Sequence, residues 1–107
     1  MGKEKLMVPV SEIINAYRSL SMRDDNKTNL DDSEIVLAAS YYEPTDKTLL
    51  GRQMVMEACG GEDNFHCFVP VFVEHNIDWA GAYDEILRDW VYYYGVYNEL
   101  FYVFWKL

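Results

Sequence analysis

Between Trp79 and Tyr94 the apolar residues Trp79, Tyr83, Ile86, Leu87, Trp90, Val91 and Tyr94 fall at i, i+4, i+7, i+8, i+11, i+12 and i+15. That is the period of an α-helix with one apolar stripe, and it predicts a helix over Asp78–Tyr94 with Asp84, Glu85, Arg88 and Asp89 on its outer face. A stripe this wide has to be covered by a second layer of structure. The chain has 107 residues, close to the commonest domain size, and two independent cores would each be too small to stabilise themselves. A single acidic globular domain over 1–107 is therefore expected. Half of the residues are hydrophobic, enough to offset the entropy of ordering so short a chain.

The remaining elements read less uniformly. Ser11 as an N-cap, Glu12 near the positive end of the helix dipole, and Ile13, Ile14, Tyr17 and Leu20 at helical spacing predict a helix over 11–22. Residues 23–29 are polar and turn-rich and read as a solvated loop. Asp31-Asp32-Ser33-Glu34 opens a second helix that Pro44 ends, although Ile35, Val36, Leu37, Tyr41 and Tyr42 would also suit a strand. Thr48 to Cys59 fits either state; the helical reading, with Thr45 as cap and Gly60 just past its end, is preferred.

Phe65 to Val73 alternates as a strand would, with Phe65, Cys67, Val69, Val71 and Val73 on one face and both faces mostly apolar. Pro70 would confine that strand to an edge or a bulge. Gly95 suits a left-handed position after the long helix, Tyr97-Asn98 a turn, and Leu100 to Trp105 a buried final strand. The order implies an α+β fold: two to three helices packed on a short, mainly antiparallel sheet.

Charge bounds the partners. Residues 1–52 carry seven basic and nine acidic side chains and residues 53–107 two and nine, for a net charge of −9. From Gln53 to Leu87 there is no Lys or Arg. Such a field repels phosphate and attracts basic surfaces, so direct nucleic-acid binding is not expected. No run approaches the roughly 18 apolar residues of a membrane span. The N-terminal residues carry neither an apolar signal core nor a myristoylation serine or threonine, so a soluble, cytoplasmic protein is expected. Cys59 and Cys67 are expected to be reduced.

The motifs of chemistry are absent or malformed. Cys59, His66, Cys67 and His75 lie within 17 residues, but the spacing lacks the paired ligands of a zinc site, and adjacent strand residues point to opposite faces. The same geometry separates Cys67 from His66 as a nucleophile and base. Aligned on Asp24 and Asn26, a calcium loop would need glycine where Asn29 stands and glutamate where Ile35 stands. No phosphate loop, dinucleotide fingerprint, nucleophile elbow or His-Glu-x-x-His occurs. No catalytic residue, cofactor or metal is assigned.

What remains is a surface. Six of the nine tyrosines lie between Tyr83 and Tyr102, and with Trp90, Val91 and Tyr94 turned to the core, Tyr92, Tyr93 and Tyr97 would be left near solvent. Asp84, Glu85, Asp89 and Glu99 would supply a charged rim, giving a partner-binding site of Asp84, Glu85, Asp89, Tyr92, Tyr93, Tyr97 and Glu99. The competing reading is that these rings fill the core.

The expected function is non-catalytic binding, and inhibition, of a protein with a basic surface, such as a nuclease or nucleic-acid-handling complex. In charge and size alone the chain resembles small acidic inhibitors: toxin-immunity proteins, anti-restriction proteins and anti-CRISPR proteins, some of which act as DNA mimics. Two alternatives stay open. One is a small-molecule-binding domain or small enzyme with an aromatic pocket near His66 or His75. The other is a homo-oligomer, a homodimer for instance, joined at Leu100–Trp105 or the Pro70 strand.

Overall fold

The computed structural model describes residues 8–22 and 29–106. Along them run α1 (Val10–Ser21), α2 (Asp32–Ala38), β1 (Ala39–Tyr42), α3 (Lys47–Ala58), α4 (Glu62–Phe68), α5 (Val71–Glu74), α6 (Trp79–Asp89), β2 (Val91–Tyr97) and β3 (Leu100–Trp105). The fold is α+β with an antiparallel sheet, as expected, but it has six helices among the described residues where two to three were expected. The basic lead-in over 1–7 and the loop residues 23–28 lie outside the described residues. The chain divides into two compact units: Met1–Tyr42 with Val91–Leu107, and, inserted between these in sequence, Glu43–Trp90.

The first unit is built on a three-stranded sheet of order β1-β3-β2. Phe101 to Phe104 of β3 are all buried, which is what an apolar strand with a neighbour on each side requires. Tyr42 pairs with Phe101, and Tyr97 with Leu100. The β2–β3 hairpin turns at Asn98 and Glu99, whose φ values of 50° and 72° are those of a two-residue turn that matches strand twist. The turn thus sits one residue later than the sequence predicts.

Helices α1 and α2 cover one face of this sheet. Ile13, Ala16 and Tyr17 of α1 and Ile35 and Ala38 of α2 close on Tyr102 and Phe104. The Tyr17 ring stands edge-on to Phe104 at 5.4 Å and to Tyr93 at 5.6 Å, the arrangement that ring quadrupoles favour. Burial of Phe104 contributes roughly 1.5–3 kcal/mol. Gly95 lets α1 come close: a Cβ there would lie 2.7 Å from Cδ2 of Leu20. At the far edge the Trp105 indole donates to Ser40 Oγ at 2.9 Å.

The second unit is helical. Asp46 caps α3 by accepting the Leu49 N–H at 2.9 Å, and Asp78 caps α6 by accepting the Gly81 N–H at 3.0 Å. The two helices touch at Gly51, where a Cβ would stand 2.1 Å from the Trp79 carbonyl oxygen. Leu50, Met54, Met56 and Phe65 are buried.

Several expectations are corrected. Phe65–Val73 is not a strand: it forms most of α4, then Pro70, then α5. Gly60 and Gly61, with φ of 90° and 117°, let the chain reverse, and Glu62 and Asp63 then sit in the first turn of α4, where the dipole favours carboxylates. The long helix stops at Asp89, and Val91–Tyr97, rich in residues with strand preference, pairs with β3 instead. Val91 is buried as expected, but Trp90 and Tyr94 are exposed. Gly95 lies within β2 and not beyond a helix. Helix α2 starts at the expected acidic box, with Asp31 and Glu34 bonded reciprocally, yet ends at Ala38 so that Ala39–Tyr42 can pair with β3. Helix α3 ends before Gly60 as predicted, but Asp46 and not Thr45 is its cap, and Pro9 rather than Ser11 precedes α1.

Candidate functional site

Helix α5 is a single turn of four residues, too short to stand by its own hydrogen bonding, and none of its residues is buried. A polar clamp holds it instead. Arg52 of α3 donates from Nε and Nη2 to Glu74 Oε2 at 3.1 and 3.0 Å. His66 Nε2 of α4 lies 2.8 Å from Glu74 Oε1. Arg52 Nη2 also reaches Glu62 Oε2 at 2.9 Å. The His66 bond, followed by the Arg52 bonds, holds the Glu74 carboxyl below the usual glutamate range, and the Arg52 guanidinium does the same for Glu62.

The consequence is an inverted surface. The Glu74 side chain is only 14% exposed, whereas its apolar neighbours face solvent: Phe68 is 83% exposed, Phe72 71%, Val71 61% and Val73 41%. A fold that half-buries a carboxylate and displays two phenyl rings within seven residues reverses the usual preference.

The acidic residues predicted as a rim, Asp84, Glu85 and Asp89, lie together on α6 and are exposed. Asp84 pairs with Lys47 at 3.2 Å and Asp89 with Arg88 at 3.2 Å. Lys47 also lies 5.9 Å from the centre of the Tyr83 ring. The tyrosines lie on β2, in the other unit. Tyr93 and Tyr97 are half-buried and pack on Tyr17 and Tyr102, Tyr92 is half-buried at an irregularity in the β2–β3 pairing, and Glu99 is exposed in the turn. Of the predicted site, Asp84, Glu85 and Asp89 thus belong to one unit, and Tyr92, Tyr93, Tyr97 and Glu99 to the other.

The other candidates have ordinary surroundings. Cys59 and Cys67 are free and exposed, and His75 is the exposed C-cap of α5. Among the described residues no three His, Cys, Asp or Glu side chains converge to hold a metal ion. An open cleft of about 180 Å³ between Tyr17, Arg18, Ser21, Asn29, Asp32 and Ile35 is smaller than pockets that enclose a typical ligand. The dimer edges expected at Leu100–Trp105 and Pro70 are not edges: β3 is the central strand, and Pro70 joins two helices. Among the described residues no helix is long and apolar enough to cross a membrane.

Arg52 and the exposed face at Phe68–Val73 escaped sequence reasoning. The signal was there: both faces of 65–73 are apolar, more than one side of a one-turn helix can bury. No protein-family model matches the chain, and comparison with curated proteins and with solved structures yields no match.

Proposed function

We propose that this chain is a non-catalytic binding protein that occupies the basic surface of a partner protein and so blocks it. A nuclease or another nucleic-acid-handling protein is the fitting kind of partner, because its phosphate-binding groove attracts carboxylates. One observation carries the reading. Between Glu43 and Trp90 ten acidic residues face three basic ones, and Lys47, Arg52 and Arg88 are each already ion-paired within the unit. What the unit offers a partner is therefore a net negative charge, with Glu85 and the ion-paired Asp84 and Asp89 exposed along α6.

The test is an affinity pull-down from the native host with wild type and with the Asp84→Lys/Glu85→Lys/Asp89→Lys variant, at low and high salt. A specific partner retained at low salt, released at high salt and lost by the variant is expected. Retention of the same partner by the charge-reversed protein, or in high salt, refutes the reading.

A further inference from the structure

We infer that the exposed apolar segment at the α4–α5 junction, Phe68, Val71, Phe72 and Val73, is the docking surface for a basic, amphipathic segment of a partner protein. The inference deepens the proposed function, on whose electrostatic reading it rests, by naming where the apolar part of the contact is made.

Three observations converge on it. The four side chains are exposed within a six-residue stretch, and isolated apolar residues on a surface need no explanation whereas a concentration of them does. Val71, Phe72 and Val73 stand on α5, which is tied through Glu74 to Arg52 and His66, and Phe68 ends α4, so the segment keeps its place without burying these four side chains. The chain between Gln53 and Leu87 holds no Lys or Arg, and the surrounding unit carries a formal charge of −7.

Charge selects the occupant. A second copy docked face to face would set one −7 unit against another. Nucleic acid and anionic lipid are repelled by the same field, and nucleic acid brings little apolar surface to cover two phenyl rings. A partner helix with leucine-like residues on one face and Lys or Arg beside them satisfies both features: its apolar stripe covers the rings and its cations meet the carboxylates. Aromatic side chains at the centre of such a contact carry most of its affinity, and the acids set its rate and salt dependence.

The experiment titrates the full chain, at low salt, into two fluorescent peptides of equal positive charge: an amphipathic Leu/Lys helix and a Lys/Gly peptide without apolar residues. The Leu/Lys peptide is expected to bind about tenfold more tightly, and Phe68→Ser/Phe72→Ser to abolish that advantage while leaving Lys/Gly binding unchanged. Equal Leu/Lys binding by the variant overturns the docking surface. So does a self-association seen by light scattering that the variant loses, or Phe-dependent binding to phosphatidylcholine vesicles. A thermal midpoint well below wild type in the variant also overturns it, because the rings would then belong to a core. If Lys/Gly binds and leucines add nothing, the apolar face falls alone; if neither peptide binds, the electrostatic reading falls with it.

Discussion

The sheet unit buries both of its phenyl rings, whereas the helical unit buries one, Phe65, and leaves two in water. In β3 Phe101 and Phe104 are buried with Tyr102 and Val103, and Tyr17 packs edge-on against Phe104. In α4 and α5 Phe68 and Phe72 are in water while Glu74, beside them, is enclosed by Arg52 and His66. Apolar burial organises the first arrangement; in the second, Phe65 anchors α4 in the core and charge pairing ties down α5. The difference teaches that residue type alone does not locate the stabilising contacts of this chain. The element on which a ring stands, and what lies behind that element, decides whether the ring stabilises the fold or is left for another molecule.

Truncation should expose the contrast most sharply. Phe104→Ala is expected to cost about 3–5 kcal/mol in chemical denaturation, through lost transfer energy and the cavity left behind, while Phe72→Ala stays within about 0.5 kcal/mol. Equal losses would break the comparison. The helical unit has its own packing limit at Gly51, where Gly51→Ala forces a methyl group against the Trp79 carbonyl and the Tyr83 side chain. A loss of about 1–3 kcal/mol in the same assay is expected.

The sheet core also contains a misfit. The Tyr102 hydroxyl is buried and has no hydrogen-bond partner among the described residues. Burial, with the nearby Glu12 carboxylate, Tyr41 and Tyr97, pushes its ionisation up, so the phenol stays neutral. Tyr102→Phe removes a desolvated polar group without leaving a cavity and should raise stability by about 1 kcal/mol. A fall in stability would show that the hydroxyl is satisfied. In the hairpin, Glu99 holds φ at 72°, where glycine is at ease, and Glu99→Gly should add about 0.5 kcal/mol.

The smallest expected effect belongs to the clamp. Glu62 and Glu74 titrate below the usual glutamate range in the folded protein. Their contribution is complete above the unfolded-state pKa of about 4.3 and disappears as pH falls through the lower folded values. Thermal midpoints should therefore drop on acidification below about pH 4.3, less steeply in Glu74→Gln. An identical acid limb in that variant would mean that the clamp does not hold α5.

How much was legible follows from where the determining chemistry lies. The start of α2 could be read because Asp31 and Glu34 bond each other's backbone, and the end of α3 because Gly60 takes the left-handed position. The segment 65–73 could not, because a run apolar on nearly every side satisfies a two-residue and a 3.6-residue period alike. The helical spacing from Trp79 held as far as Asp89, and beyond it the same spacing misled: Val91, Tyr93 and Tyr94 pair with β3. The acids on α6 were found because charge is read directly from composition. The exposed face was missed because exposure depends on what the rest of the chain leaves uncovered.

By itself, then, the sequence determined the α+β class, the acidic character, the start of α2 and the end of α3, and 100–105 as a buried strand. Tertiary structure decided which segments became partners of β3, that 65–73 became two short helices, and that Phe68 and Phe72 face water while Glu74 does not. The physical reason is range. Caps and turns are completed within a few residues, whereas a strand needs a distant neighbour, and Glu74 is enclosed because Arg52, 22 residues earlier, reaches across to it alongside His66.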